Sequence, residues 1–329
     1  MSSRPVVELL EELKEGDPSK LPSTLSELCS YAEQGVYDPD VLPLLRKVIE
    51  PQQDSGVLVY ALRLASLYCS EGLFHREVAE SVPPLLNHES DSVKAHALYF
   101  LAACARRGVV WEEVFERIVE LVRSDSVEVA LMAIEALIAY AEEGVTFSGV
   151  LEAAIDVLEW GDSNLQASAL SLLSVYAERE MLNERFLKYA PSLLSSEDEA
   201  VRLEAALCLW RYAVRGLVSD TAVGPLLRML GSDSFSVQSA AARALWRYAK
   251  FGVGGRKAAD ELALLLSSEN TFVRRAAVYA LLLYAQSGVL SPAAASVLPS
   301  LLGDKDEGVR RVALQVIEEY EKRGGGVLD

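Results

Sequence analysis

The chain has 329 residues, 51% hydrophobic and 24% charged, and 31 Lys and Arg against 48 Asp and Glu leave a formal net charge of −17. That apolar content excludes a disordered chain, four Cys are too few for a disulfide scaffold, and the negative balance argues against nucleic-acid binding by the surface as a whole. By length alone two domains are expected.

The opening MSSRPVVELLEELKEGD is a short acidic amphipathic segment with neither a basic nor a long apolar region, so no signal peptide is expected. No stretch approaches a membrane span, and a cytoplasmic location is expected. Cys29, Cys69, Cys104 and Cys208 show no CxxC spacing and lie in apolar helical patterns, which predicts buried, reduced thiols. From Tyr31 onward the segment YAEQGV recurs in variants, with markers at Tyr68, Cys104, Tyr140, Tyr176, Tyr212, Tyr248, Tyr284 and Tyr320. The intervals are 37 residues once and 36 thereafter, which is the signature of a repeat array.

Two helices are predicted in each repeat. Seven residues before each marker from Tyr68 onward stands Ala, from Ala61 to Ala313, and eleven before it stands Val or Leu. Offsets −11, −7, −4, −3 and 0 fall within about 100° of arc, the apolar stripe of an amphipathic helix. Asp, Ser or Asn near offset −14, as at Asp54, Ser126 and Asp306, predicts an N-cap, and Gly four residues after most markers predicts a left-handed stop. The preceding helix closes on an apolar pair such as Leu193–Leu194, and Pro43, Pro83, Pro191, Pro225 and Pro299 are expected to kink it.

The segments DEAVRLEAALCL (198–209), ENTFVRRAAVYAL (269–281) and DEGVRRVALQVI (306–317) resemble the HEAT-repeat family. The resemblance implies an all-α fold, a right-handed α-solenoid of about nine two-helix HEAT-like repeats of 36 residues. It would run as one solenoid over 1–329, with 1–35 a divergent first repeat and 324–329 a flexible tail. It also implies an Asp–Arg ladder between repeats through Arg202, Arg274 and Arg310, with Lys94 as a substitute. Leu58, Ala130, Gln166 and Gln238 depart from that pattern and are expected to break the ladder.

HEAT-like solenoids commonly bind along a concave face lined by the second helices, which corresponds to offsets −9, −5 and −2. There the later repeats present Trp210, Arg211, Arg243, Trp246, Arg247, Arg275 and Tyr279, residue types enriched in interface hot spots. On this reading Trp246→Ala spares stability and removes binding. Earlier repeats present an apolar stripe, Ala102, Leu131 and Ile138. The expected function is a non-catalytic scaffold or adaptor that binds a protein or peptide. Nucleic-acid or acidic-ligand binding by the Trp/Arg patch in 202–275, which carries 11 basic and 6 acidic residues, is the alternative.

Chemistry is sparse. His75, His88 and His96 are the only His, and the single His88–Glu89 pair cannot supply the four such dipeptides that a HEAT-type di-iron hydroxylase uses. No HExxH, glycine-rich phosphate loop or GxSxG segment is present, so no metal or cofactor is expected. A lyase or hydroxylase of HEAT-like type remains a minor alternative, and a monomer is expected.

Overall fold

The computed structural model describes residues 5–324. They form eighteen α-helices with short 3-10 segments and no strand, the α-solenoid class of all-α fold. The chain divides into two compact units, Met1–Trp160 and Gly161–Asp329. The first unit holds α1 (Val6–Glu15), α2 (Leu21–Glu33), α3 (Val41–Val48), α4 (Ser55–Ser70), α5 (Arg76–Glu80), α6 (Asp91–Ala105), α7 (Phe115–Leu121), α8 (Val127–Glu142) and α9 (Gly149–Trp160). The second holds α10 (Ser163–Glu178), α11 (Phe186–Leu193), α12 (Glu199–Val214), α13 (Val223–Met229), α14 (Phe235–Lys250), α15 (Gly255–Leu264), α16 (Thr271–Gln286), α17 (Pro292–Ser296) and α18 (Glu307–Lys322). Even-numbered helices are the second helices of the repeats. In the first unit α2, α4, α6 and α8 pack in sequence as one layer, and in the second unit α10, α12, α14, α16 and α18 do the same. Residues 5–35 form a helix pair, α1 and α2, although α2 has no side-chain cap. The expected flexible tail lies outside the described residues, apart from Gly324.

Within each repeat the core forms between first and second helix. The Ala at offset −7 is fully buried from Ala61 to Ala313, because a methyl group is all that the closely approaching helices admit. The marker tyrosines from Tyr68 to Tyr284 are buried as well, and several reach the loop of the preceding repeat. Tyr68 accepts from the Asp38 backbone N–H at 2.9 Å, Tyr212 accepts from that of Asn183 at 3.4 Å, and Tyr284 donates to the Val253 carbonyl. These three bonds tie the ring tips to the loops that lead into their repeats. The marker position of the third repeat holds Cys104 instead, whose sulfur lies 3.5 Å from that of Cys69. All four Cys are buried and free.

A two-step cap starts most second helices. Ser124, Ser196, Ser232, Ser268 and Asp304, at offset −16, accept from the N–H of the N-cap residue two positions on. That N-cap side chain in turn accepts from the first turn of the helix, as Asp198 does from Ala200 and Val201. His88 occupies the same slot and its Nδ1 accepts from the Ser90 N–H at 3.0 Å, although the Ser90 side chain makes no cap bond.

The prolines act differently from the expected kinks. Only Pro191 stands in a helix interior. Pro83 and Pro299 open 3-10 segments that follow the short α5 and α17, and Pro43 and Pro225 sit in first turns. A residue without N–H is tolerated where a helix begins, so the first helices break and restart rather than bend through.

The Asp–Arg ladder is also different in kind. Arg202, Arg274 and Arg310 each donate to two backbone carbonyls five and six residues earlier, closing their own interhelical turn. Gln238, which lacks the charge, donates to the Ser232 carbonyl at 2.6 Å and does the same work. A bridge to the next repeat forms at Arg274, which grips both oxygens of Asp304 at 2.8 and 3.0 Å. For Arg202 the corresponding position is Ser232, which offers no carboxylate.

A candidate binding face on the second helices

Burial separates the offsets of the exposed helix face. At −5 the side chains stay half-buried or exposed throughout, from Arg63 and Tyr99 to Arg243, Tyr279 and Gln315. At −2 the small ones are covered: Ser66, Ala102 and Ser174 are buried. Offset −2 is therefore a seam between neighbouring second helices, and −5 is the open line. This corrects the apolar stripe. Ala102 is fully buried, as are Ala95 and Ala139 beside it, and only Leu131 and Ile138 remain half-buried. Small side chains let the helices of the first unit approach closely enough to hide them.

In the second unit the aromatic cluster is built from α12, α14 and α16. Trp246 is half-buried, and its indole N–H donates to the Ala276 carbonyl at 3.1 Å while its ring meets that of Tyr279 edge-on at 5.0 Å. It therefore ties α14 to α16, so the indole also has a packing role beside any part in binding. Trp210 lies under the Arg243 guanidinium, 3.8 Å from ring centre to Cζ, with Arg211 at 5.5 Å. Arg211 is engaged by Glu178 at 2.6 Å and Arg275 by both oxygens of Asp306. Among the described residues Arg247 and Arg243 make no ion pair. Of the seven residues, the structure thus brings Trp246, Arg275 and Tyr279 to one place, and groups Trp210, Arg211 and Arg243 at a second.

A pocket of about 690 Å³ opens at the first of these places, lined by Trp246, Arg275, Val278, Tyr279, Glu307, Gly308, Arg311 and Val312. In the first unit a pocket of about 430 Å³ opens between Arg63, Leu67, His96, Tyr99, Glu128 and Met132 on α4, α6 and α8, with Glu33 of α2 and Ala95. Each has an exposed tyrosine at offset −5. Glu307, Val312 and Met132 escape a reading limited to −9, −5 and −2, because the next helix turns its −13 and −8 positions into the same hollow.

Electrostatics around the second pocket is set by paired charge. Asp304 and Asp306 are both held below the ordinary carboxylate range, the latter at about 2, chiefly by hydrogen bonds from Arg274 and Arg275 respectively. Burial pushes the Glu204 carboxyl up on α12 and the Cys29 thiol up to about 12 on α2. Among the described residues no group of three or more His, Cys, Asp and Glu could hold a metal ion, and no helix is long and apolar enough to cross a membrane.

Helical hairpins with a two-step cap, a buried alanine and a tyrosine rung define a helical-repeat protein. Residues 190–282 and 225–318 match the family model of HEAT repeats, and over that stretch the chain is similar to HEAT-repeat proteins. The crystal structure of an engineered protein from the Northeast Structural Genomics Consortium is similar at a TM-score of 0.65, covering 97% of this chain and 92% of that one. At 22% identity that likeness speaks for the fold alone. No curated protein matches the chain.

Proposed function

We propose that this protein is a non-catalytic scaffold that binds a protein segment on the layer of second helices. The observation that carries this reading is the Trp246–Tyr279 pocket, where two aromatic side chains and the partly exposed aliphatic wall of α18 stay open on the layer of second helices. Aromatic rings held rigid by a hydrogen bond and an edge contact offer large area at small ordering cost, the property that makes such residues dominate interfaces. Nucleic-acid binding by the same patch has less support. Arg243 covers a face of Trp210, so the two Trp rings do not form a pair of open platforms on which successive bases could stack.

Selection of random displayed peptides on the immobilised protein tests the reading. Selected peptides should lose at least tenfold in affinity with Tyr279→Ala and none with Leu264→Ala, a 75% exposed residue on the first helix α15. Peptides that depend on Leu264 and ignore Tyr279, or a selection that yields no binder, would remove it.

A further inference from the structure

The second helices differ sharply in charge. Neither α14 nor α16 contains a single Asp or Glu, while together they carry Arg243, Arg247, Lys250, Arg274 and Arg275. The last two are satisfied by Asp304 and Asp306. Among the described residues the three cations of α14 make no ion pair, and their i, i+4, i+7 spacing sets them along one stripe of the helix. Arg243 and Lys250 are exposed and Arg247 is half-buried. Within this stripe lies Trp246, which borders the pocket shared with Tyr279.

We propose that the α14 stripe docks an acidic peptide segment, with carboxylates on Arg243, Arg247 and Lys250 and an apolar side chain in the Trp246–Tyr279 pocket. The proposal rests on the scaffold reading and names its partner's chemistry. Charge complementarity carries it: three cations that make no ion pair among the described residues sit on a helix with no acid, in a chain whose formal charge is −17. Guanidinium groups bind carboxylates in bidentate fashion, and Arg243 is already held in place by its stacking on Trp210. The carboxylate a peptide would meet in the pocket wall is Glu307.

Fluorescence anisotropy with labelled twelve-residue peptides decides it. A peptide repeating Glu-Glu-Leu should bind at least about tenfold more tightly than its Ser-Ser-Leu and Lys-Lys-Leu counterparts, and its affinity should fall with added salt. Arg243→Glu with Arg247→Glu should cost about tenfold or more. Lys250→Glu, at an exposed position outside the core, should cost a smaller factor while the circular dichroism and melting curve stay unchanged. Equal binding of the acidic and neutral peptides at this face would overturn the charge inference and leave the scaffold reading standing. Absence of binding by the acidic peptide, indifference to both charge reversals, or tighter binding of oligothymidylate would also overturn it. If no peptide of any charge binds and peptide selection also fails, both fall together.

Discussion

Glu180 adopts φ 65°, the only positive φ outside glycine among the described residues. It stands four residues after Tyr176, where Gly72 and Gly216 occupy the same place in other repeats with φ 84° and 85°. A side chain there crowds the following carbonyl, so Glu180→Gly should stabilise the protein by about 1 kcal/mol in urea unfolding. The ion pair it gives up, to Arg215, is on the surface and contributes little. The tyrosine rung offers a second residue-scale comparison. Tyr68→Phe strips the Asp38 N–H of its acceptor and should cost about 1–2 kcal/mol. Tyr248, whose buried hydroxyl makes no well-formed hydrogen bond, should tolerate Phe at no measurable cost. Equal losses at both sites would show that ring packing, and not the hydroxyl, sets the rung.

At the scale of elements, α16 and α18 are joined by acid-sensitive pairs. Asp304 and Asp306 have folded-state values depressed by Arg274 and Arg275, so their contribution is fully present above the unfolded carboxylate value, near 4. It is lost as the pH falls through the folded values, which for Asp306 means toward about 2. Hydrogen exchange recorded between about pH 5 and pH 2 should therefore show α18 opening before α12 and α14. Exchange that rises uniformly across these helices would contradict this. Much of this element was legible: the caps at Asp198 and Asp306 follow from residue type and position. The role of Arg202 was not, because a guanidinium that satisfies its own turn's carbonyls looks the same in sequence as one that bridges repeats.

Across the whole molecule, stability in such an array is close to a sum of repeat and neighbour terms. Asp54→Ala should then speed exchange in α4 and its neighbours α2 and α6 and leave α14 to α18 unchanged. Trp246→Ala, which removes a half-buried ring and a hydrogen bond to α16, should cost about 2 kcal/mol in the second unit. Charge is partitioned too: residues 1–164 hold 12 basic and 29 acidic side chains, whereas 165–329 hold equal numbers. Peptide-binding assays on the full chain should accordingly be run at more than one salt concentration, since acidic probes are repelled by the N-terminal repeats.

The amino-acid sequence by itself determined the period, the helix pairs, the caps and the identity of the buried alanine and tyrosine rows. All of these depend on contacts within one repeat or its immediate neighbour, which recur at a fixed spacing and so leave a periodic trace. Only the tertiary structure decided which of the outward offsets is open. Trp210 and Trp246 sit at the same offset as the buried Ala102, and their half-exposure comes from their size at a seam, not from the side they face. The structure likewise decided which cations are free. Arg275 finds Asp306 across a repeat boundary 31 residues away, while Arg243 finds only a ring. Pairing across neighbouring helices depends on side-chain reach and stagger, and periodicity carries no record of either.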